Sequence, residues 1–121
     1  IICDKLGAKS VEAYDIDRLA VDVAYDNCCK NECEDISCKT GELKDVEGNH
    51  YTLIVANIIA DVICDIAKDV PAHLAPGGTF LCSGIINTKS ERVEKALAKA
   101  GFEIVESLEN HDWMAYVCKV K

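Results

Sequence analysis

Segments typical of strands and of helices alternate along most of the chain. Apolar runs suited to buried strands are each followed by a stretch with apolar residues at helical spacing. This alternation predicts strand–helix–strand units and a parallel sheet, because parallel neighbours need a long crossover between them. The predicted strands are 11–15, 35–41, 51–56 and 79–84, and the predicted helices are 17–31, 58–70 and 88–100.

The carboxyl-terminal end of the sequence breaks the alternation. The segments "FEIVESLE" and "WMAYVCKVK" both have the composition of strands, and only a few residues, with "NHD" at their centre, separate them. So short a link allows only antiparallel pairing. We therefore predict an α/β fold whose mostly parallel sheet ends in an antiparallel hairpin.

Residue spacing adds expectations for individual elements. The continuous apolar run from Tyr51 to Ala56 predicts a strand that is covered on both faces. Asp17 is predicted to cap the helix that follows it, and Thr88 with Glu91 has the spacing of a capping box. The side chains predicted to face the core from helices 17–31 and 58–70 are Ala20, Val23, Ala24 and Cys28, and Ile59, Val62, Ile63, Ile66 and Val70.

Composition and charge limit the class of protein. The chain has 121 residues, half of them hydrophobic, which suits one globular domain that buries roughly two-thirds of its unfolded surface. No apolar run reaches the ~20 residues that a membrane helix needs. The formal net charge of −8 disfavours nucleic acid as a direct partner, because phosphate backbones require a basic surface. We therefore expect a cytoplasmic protein without a membrane partner.

The chain has eight cysteines, but their spacing is not that of a metal site. Cys64 and Cys82 lie in apolar stretches, where a free thiol behaves as a small hydrophobic group. Cys29 and Cys33 would share one face of a helix, yet no C-x-x-C pair accompanies them. A secreted disulfide scaffold is shorter and poorer in core residues. We predict eight reduced thiols and no bound metal.

Four stretches, which together span nearly the whole chain, occur in the order found in one enzyme family. They are "KLGAKSVEAYDIDRLAVDVAYDN", "YTLIVANIIADVICDIA", "LAPGGTFLCSGII" and "AGFEIVESLENHDWMAYVCK". They resemble the bacterial ribosomal protein L-eleven methyltransferase family of class I S-adenosylmethionine-dependent methyltransferases. The resemblance implies a Rossmann-like sheet of strand order 3-2-1-4-5-7-6. It also implies that methyl groups pass from S-adenosylmethionine to amino groups of a large-subunit ribosomal protein.

The resemblance implies roles for two residues. Asp15 matches the family's acidic residue that accepts hydrogen bonds from the cofactor ribose, and a carboxylate suits a vicinal diol. Asn57 matches an active-site asparagine that would hold the reacting amine and also bind the cofactor beside it. Each residue also has a structural alternative. Asp15 could simply favour the positive end of a helix dipole, and Asn57 could be the N-cap of the next helix.

The opening segment "IICDKLGAKS" reads as the closing turn of a helix, with Gly7 after it. We therefore expect a fragment, residues 1–121 being the carboxyl-terminal part of a catalytic domain. By resemblance, the first strand and the glycine-rich cofactor loop would lie upstream of Ile1. We expect such a piece to bind S-adenosylmethionine weakly, to be inactive alone and to self-associate through unpaired strand edges.

Two other functions remain open at the level of sequence. A nicotinamide-dependent dehydrogenase would use the same alternating pattern and an acid like Asp15 for its cofactor ribose. A non-catalytic, Rossmann-like interaction module would account for the absent loop. The terminal hairpin and the "VANIIAD" segment favour the methyltransferase.

Overall fold

The computed structural model describes all residues from Ile1 to Lys121. Contacts divide the chain into two compact units, residues 1–46 and residues 47–121, and each is described by itself. The first unit holds helix α1 (Ile2–Lys5), strand β1 (Glu12–Asp15), helix α2 (Arg18–Lys30) and strand β2 (Ser37–Thr40). The second holds β3 (Tyr51–Asn57), α3 (Ala60–Ile66), β4 (Leu74–Ile86), α4 (Ser90–Lys99), β5 (Phe102–Asn110) and β6 (Trp113–Val120).

The first unit is one strand–helix–strand crossover. Strands β1 and β2 pair in parallel, with Glu12 opposite Ser37 and Asp15 opposite Thr40. The predicted cap is confirmed, because the side chain of Asp17 accepts a hydrogen bond from the backbone N–H of Leu19 over 2.9 Å. The core of this unit is formed by Cys28, Cys33 and Ile36, against which Val11, Ala13 and Cys38 pack.

The second unit is a four-stranded mixed sheet of order β3-β4-β6-β5. Strands β3 and β4 are parallel, while β6 runs antiparallel to both of its neighbours. The predicted terminal hairpin is therefore confirmed, with His111 in its two-residue turn at a φ of 56°. In the strand order implied by the resemblance, the chain's six strands take the places 3-2 and 4-5-7-6.

Apolar side chains from the sheet and from both helices form the core of the second unit. The rings of Phe80 and Phe102 lie 5.4 Å apart, centroid to centroid, and both are buried. Helix α4 contributes Val93 and Leu97, as its helical spacing predicts. Gly101 follows this helix with a φ of 92°, a conformation that glycine adopts without strain.

The helix predicted for residues 58–70 is shorter, and part of its expected inner face is wrong. Ile59 is the N-cap residue in an extended conformation, and a separate 3₁₀ helix, Val70–His73, follows α3. Because Ile59 lies outside the helix, helical spacing does not predict the side to which it points, and Ile59 is 65% exposed. Val62 is also 39% exposed, while Ile63 and Val70 are buried as predicted. In the first unit Val23 is likewise exposed, whereas Val21 is buried.

Two further predictions need correction. Strand β3 is not covered on both faces: Leu53 is 44% and Val55 49% exposed, because the helices of the second unit do not cover the face that these two side chains share. The capping box does not form, because Thr88 lies in a 3₁₀ helix and the N-cap of α4 is Lys89, without a side-chain hydrogen bond.

Helices α3 and α4 are joined by an ion pair. Arg92 Nη1 lies 2.6 Å from Asp61 Oδ1, and Lys89 Nζ lies 3.4 Å from the same carboxylate. These charges are half exposed, so solvent screens them and their contribution to stability is small. Their geometric effect is to tie the helix that follows Asn57 to α4.

Candidate functional site

Asp15 is the last residue of β1, at the carboxyl end of the parallel pair. Its side chain is exposed, and its backbone C=O accepts a hydrogen bond from Gly41 N–H over 2.9 Å, just beyond the end of β2. Ligands of open α/β sheets bind at this end of the strands. The structure thus places the carboxylate where a ribose could reach it.

The carboxylate of Asp15 has a preset orientation. Its Oδ1 accepts a hydrogen bond from the backbone N–H of Asp17 over 2.9 Å, which forms a turn into α2. Asp17, two residues on, uses its own carboxylate for the helix cap. The two acids therefore have different tasks: one caps the helix, and the other is oriented by the turn and exposed at the strand end.

Tyr14, beside Asp15 on β1, belongs to a small polar cluster. Its hydroxyl donates to Glu12 Oε1 over 3.1 Å, and Lys39 Nζ lies 3.2 Å from the same oxygen. Burial and then the Glu12 carboxylate raise the pKa of Tyr14 above its usual value. This tyrosine therefore stays protonated at neutral pH and can act only as a neutral hydrogen-bonding group.

Asn57 occupies the equivalent place in the second unit, as the last residue of β3. Its side chain is exposed, and it does not cap α3. The helix begins at Ala60, its N-cap residue is Ile59, and no side-chain hydrogen bond caps it. The structural alternative considered for Asn57 is therefore wrong, because the strand ends at Asn57 and the cap position is two residues further on, at Ile59.

Strand β4 is irregular beside Asn57. Asn57 pairs with Ser83, and the register between β4 and β6 shifts between Cys82 and Ile85. Gly84, within this shift, has a φ of 77°. Such bulges redirect side chains and are frequent near functional sites. Gly84 was not predicted as a site residue, although a glycine inside an apolar strand is the usual signal of a bulge or of a close backbone approach.

Asn57, Ser83 and Gly84 are thus brought together in the second unit, while Asp15 lies at the corresponding strand end of the first. The ideal Cβ position of Gly84 is only 2.5 Å from Asn57 Oδ1 and 3.3 Å from the backbone O of Ile58. The amide of Asn57 therefore occupies the space that a side chain at position 84 would take.

The three histidines do not form a proton-transfer group at these strand ends. His50 stacks on Tyr51 with ring centroids 4.4 Å apart. The Nδ1 of His73 lies 3.0 Å from Gly48 O, and His111 is in the hairpin turn. The three histidines thus have surface or hydrogen-bonding roles.

The helical pair Cys29–Cys33 does not form, because α2 ends at Lys30 and Cys33 lies beyond it. All eight cysteines are free thiols.

The Sγ of Cys28 is 4.0 Å from that of Cys38, and burial, followed by the hydrogen bond with Cys38, raises the pKa of Cys28. In the second unit, the hydrogen bond with Cys118 and burial raise the pKa of Cys82. These two thiols therefore remain protonated at neutral pH. The absence of bound metal stays a prediction.

The chain is similar to known proteins in both sequence and structure. Residues 1–121 match the sequence model of a family described as ribosomal protein L11 methyltransferase (PrmA). The chain belongs to this family.

Individual members of the family are similar along nearly all of the chain. The ribosomal protein L11 methyltransferase of Exiguobacterium sp. is 46% identical over 121 residues. That of Acetivibrio thermocellus is 42% identical over 119 residues. Each match takes in 98% of this chain but only 38% of the relative. The chain therefore spans well under half of the length of these relatives.

Solved structures agree with the family assignment. The crystal structure of ribosomal protein L11 methylase from Lactobacillus delbrueckii subsp. bulgaricus is 34% identical, with a TM-score of 0.93 over 98% of this chain and 61% of that one. An S-adenosylmethionine-dependent methyltransferase from Aquifex aeolicus has a TM-score of 0.77 over 97% of this chain and 72% of that one. Because it is 13% identical, it supports the fold alone. The predicted class I methyltransferase fold is thus confirmed.

None of the helices is long and apolar enough to cross a membrane.

Proposed function

We propose that this chain forms part of an S-adenosylmethionine-dependent methyltransferase that modifies amino groups of ribosomal protein L11. Family membership supports the reaction class. The observation that carries the proposal is the place of Asn57, an exposed amide at the end of β3 that has no capping role. An amide there is available to a substrate.

Asp15 is proposed to bind the ribose of S-adenosylmethionine. The fit is chemical, since an exposed carboxylate held by the N–H of Asp17 offers fixed acceptors for two neighbouring hydroxyls. A charged acceptor strengthens each such hydrogen bond. This role concerns binding and should contribute little to the chemical step.

Asn57 is proposed to hold the amine that accepts the methyl group. When bound, S-adenosylmethionine supplies an electrophilic methyl group on a sulfonium. The Oδ1 of Asn57 would accept a hydrogen bond from the amine and so direct its lone pair, which is catalysis by positioning. Because the amide carries no charge, it holds the ammonium form of the amine less strongly than a carboxylate would.

The substrate must lose a proton before it reacts. Deprotonating a lysine amine of pKa near 10.4 costs about 4–5 kcal/mol at neutral pH. None of the histidines is placed to remove this proton. We therefore propose that desolvation of the amine at the site lowers its pKa and favours the neutral form, which Asn57 then orients. The net charge of −8 also suits a basic ribosomal protein, since complementary charge speeds encounter.

The dehydrogenase alternative is not supported, because the whole chain matches a methyltransferase family. The interaction module differs from the enzyme in one testable property, which is turnover. Cytoplasmic location, the absence of a nucleic-acid partner and self-association stay predictions.

The experiment uses a protein of the relatives' full length that contains this chain. It is incubated with S-adenosylmethionine and purified ribosomal protein L11, and the methyl groups added are located by mass spectrometry. A matched substrate has its amino groups blocked by acetylation. We expect transfer to the free substrate and none to the blocked one. Transfer to the blocked protein would contradict amino methylation, and no transfer to either would favour the interaction module.

A further inference from the structure

We propose that Gly84 is a positioning residue for the amide of Asn57, so that the missing side chain at 84 determines where that amide lies. The inference rests on the proposed function, in which Asn57 holds the amine. It concerns a residue that touches neither substrate nor cofactor and acts through Asn57 alone.

The geometry around Gly84 is unusually close. A Cβ there would be 2.5 Å from Asn57 Oδ1, well inside van der Waals contact, and 3.3 Å from Ile58 O. The Asn57 atom is the end of a side chain that can rotate, whereas the Ile58 atom belongs to the backbone. A methyl group at 84 would therefore displace the amide first, with a smaller adjustment of the turn after β3.

The pairing of the strands explains why this contact is specific. Asn57 lies opposite Ser83 in the parallel β3–β4 ladder, and the shift in β4 after Cys82 brings Gly84 beside the amide. If β4 were shifted by one residue against β3, a residue with a side chain would lie beside the Asn57 amide, because successive strand residues point to opposite faces. The register shift and the missing side chain at Gly84 together leave the space that the Asn57 amide occupies.

The same strand provides a matched control. Gly77 also lies in β4 and has a φ of 76°, against 77° for Gly84. A Cβ at Gly77 would meet no atom within 4 Å. Gly77→Ala therefore imposes the same backbone strain as Gly84→Ala but cannot move Asn57. The difference between the two variants isolates the contact with the amide.

The test uses both variants in a protein of the relatives' full length that contains this chain. We expect both to lower Tm, Gly84→Ala by more, because its Cβ also crowds Asn57 and the backbone of Ile58. Gly84→Ala should lower kcat roughly 10- to 100-fold with little change in cofactor affinity, since a displacement of about 1 Å has that effect. Gly77→Ala should keep kcat within about twofold. In an Asn57→Ala background, Gly84→Ala should lower kcat no further, because the residue acts through that amide.

A crystal structure of each variant supplies a readout that does not depend on activity. We expect the Asn57 amide to be rotated in Gly84→Ala and unchanged in Gly77→Ala. Equal kcat in the two variants, or an unmoved amide, would overturn the proposal. If the parent protein methylates nothing, the proposed function fails, whereas the position of the amide still decides whether Gly84 controls it.

Discussion

The backbone N–H of Asp17 donates a hydrogen bond to the Oδ1 of Asp15 over 2.9 Å, which makes the strand end and the helix start one turn. Asp17 then accepts from Leu19 N–H at the same distance. The two carboxylates are two residues apart and both exposed, yet only Asp15 stands at the end of β1. Their proximity makes them a natural pair for separating binding from stability.

Asp15→Ala is expected to weaken S-adenosylmethionine binding about 10- to 100-fold in a full-length protein, the usual loss for hydrogen bonds to a charged group. Asp15→Asn keeps an acceptor for Asp17 N–H and should weaken binding less. Asp17→Ala is the control: it should lower the free energy of unfolding by about 1 kcal/mol through loss of the cap, without changing affinity. Calorimetry and urea unfolding measure both quantities. Equal affinities for Asp15→Ala and the parent would exclude a ribose role.

Asn57→Ala is expected to lower kcat about 10²- to 10³-fold in the same protein, the usual loss when one preorganised hydrogen-bonding group is removed. Cofactor affinity should change little. Stability should also change by less than about 0.5 kcal/mol, because Asn57 does not cap α3. Methyl-transfer rates and thermal unfolding test the two halves. Intact turnover would exclude a catalytic role.

Tyr116→Phe is expected to stabilise the second unit. Tyr116 is fully buried, and its hydroxyl makes no well-formed hydrogen bond, although the side chains of Ser90 and Glu94 lie close to it. Removing the hydroxyl should raise the free energy of unfolding by about 1 kcal/mol at neutral pH, the low end of the cost of an unpaired buried group. Urea unfolding of the two chains measures the difference. A lower stability for the variant would mean that the hydroxyl has a favourable partner in solution.

The pKa of Tyr116 predicts how the stability of the parent changes with pH relative to that of Tyr116→Phe. Burial, and then the nearby Glu94 carboxylate, raises this pKa from 10.0 to about 12. Because the folded pKa is the higher one, the unfolded chain loses the Tyr116 proton first, so the free energy of unfolding is unaffected below the unfolded pKa and falls as pH rises from 10 to about 12. Tyr116→Phe should therefore lose less stability than the parent over that interval.

The 121 residues are expected to self-associate through β3. This edge strand exposes Leu53 and Val55 and has only β4 as a neighbour. The opposite edge, β5, is protected by Glu103, Glu106 and Glu109 and by a register shift at Val105. Val55→Lys should lower the mass measured by light scattering, whereas Val105→Lys on the protected edge should not. A monomeric parent would contradict the prediction.

The sequence by itself determined the parts of the fold that depend on near neighbours. Helical spacing identified α2 and α4, the short link around "NHD" required the hairpin of β5 and β6, and Asp17 was found as a cap. These features involve residues within a few positions of one another, so the local sequence contains the information. The same holds for the strand ends that carry Asp15 and Asn57.

Tertiary structure decided the details that depend on distant partners. The prediction of which face α3 buries was wrong at Ile59, because the helix starts only after that residue. The exposure of Leu53 and Val55 depends on which face of β3 the helices cover. The 2.5 Å approach between the Gly84 Cβ position and Asn57 joins residues on two strands. It depends on the register of β3 against β4 and on a bulge opposite β6, neither of which spacing along one strand can specify, because strand pairing is a long-range contact.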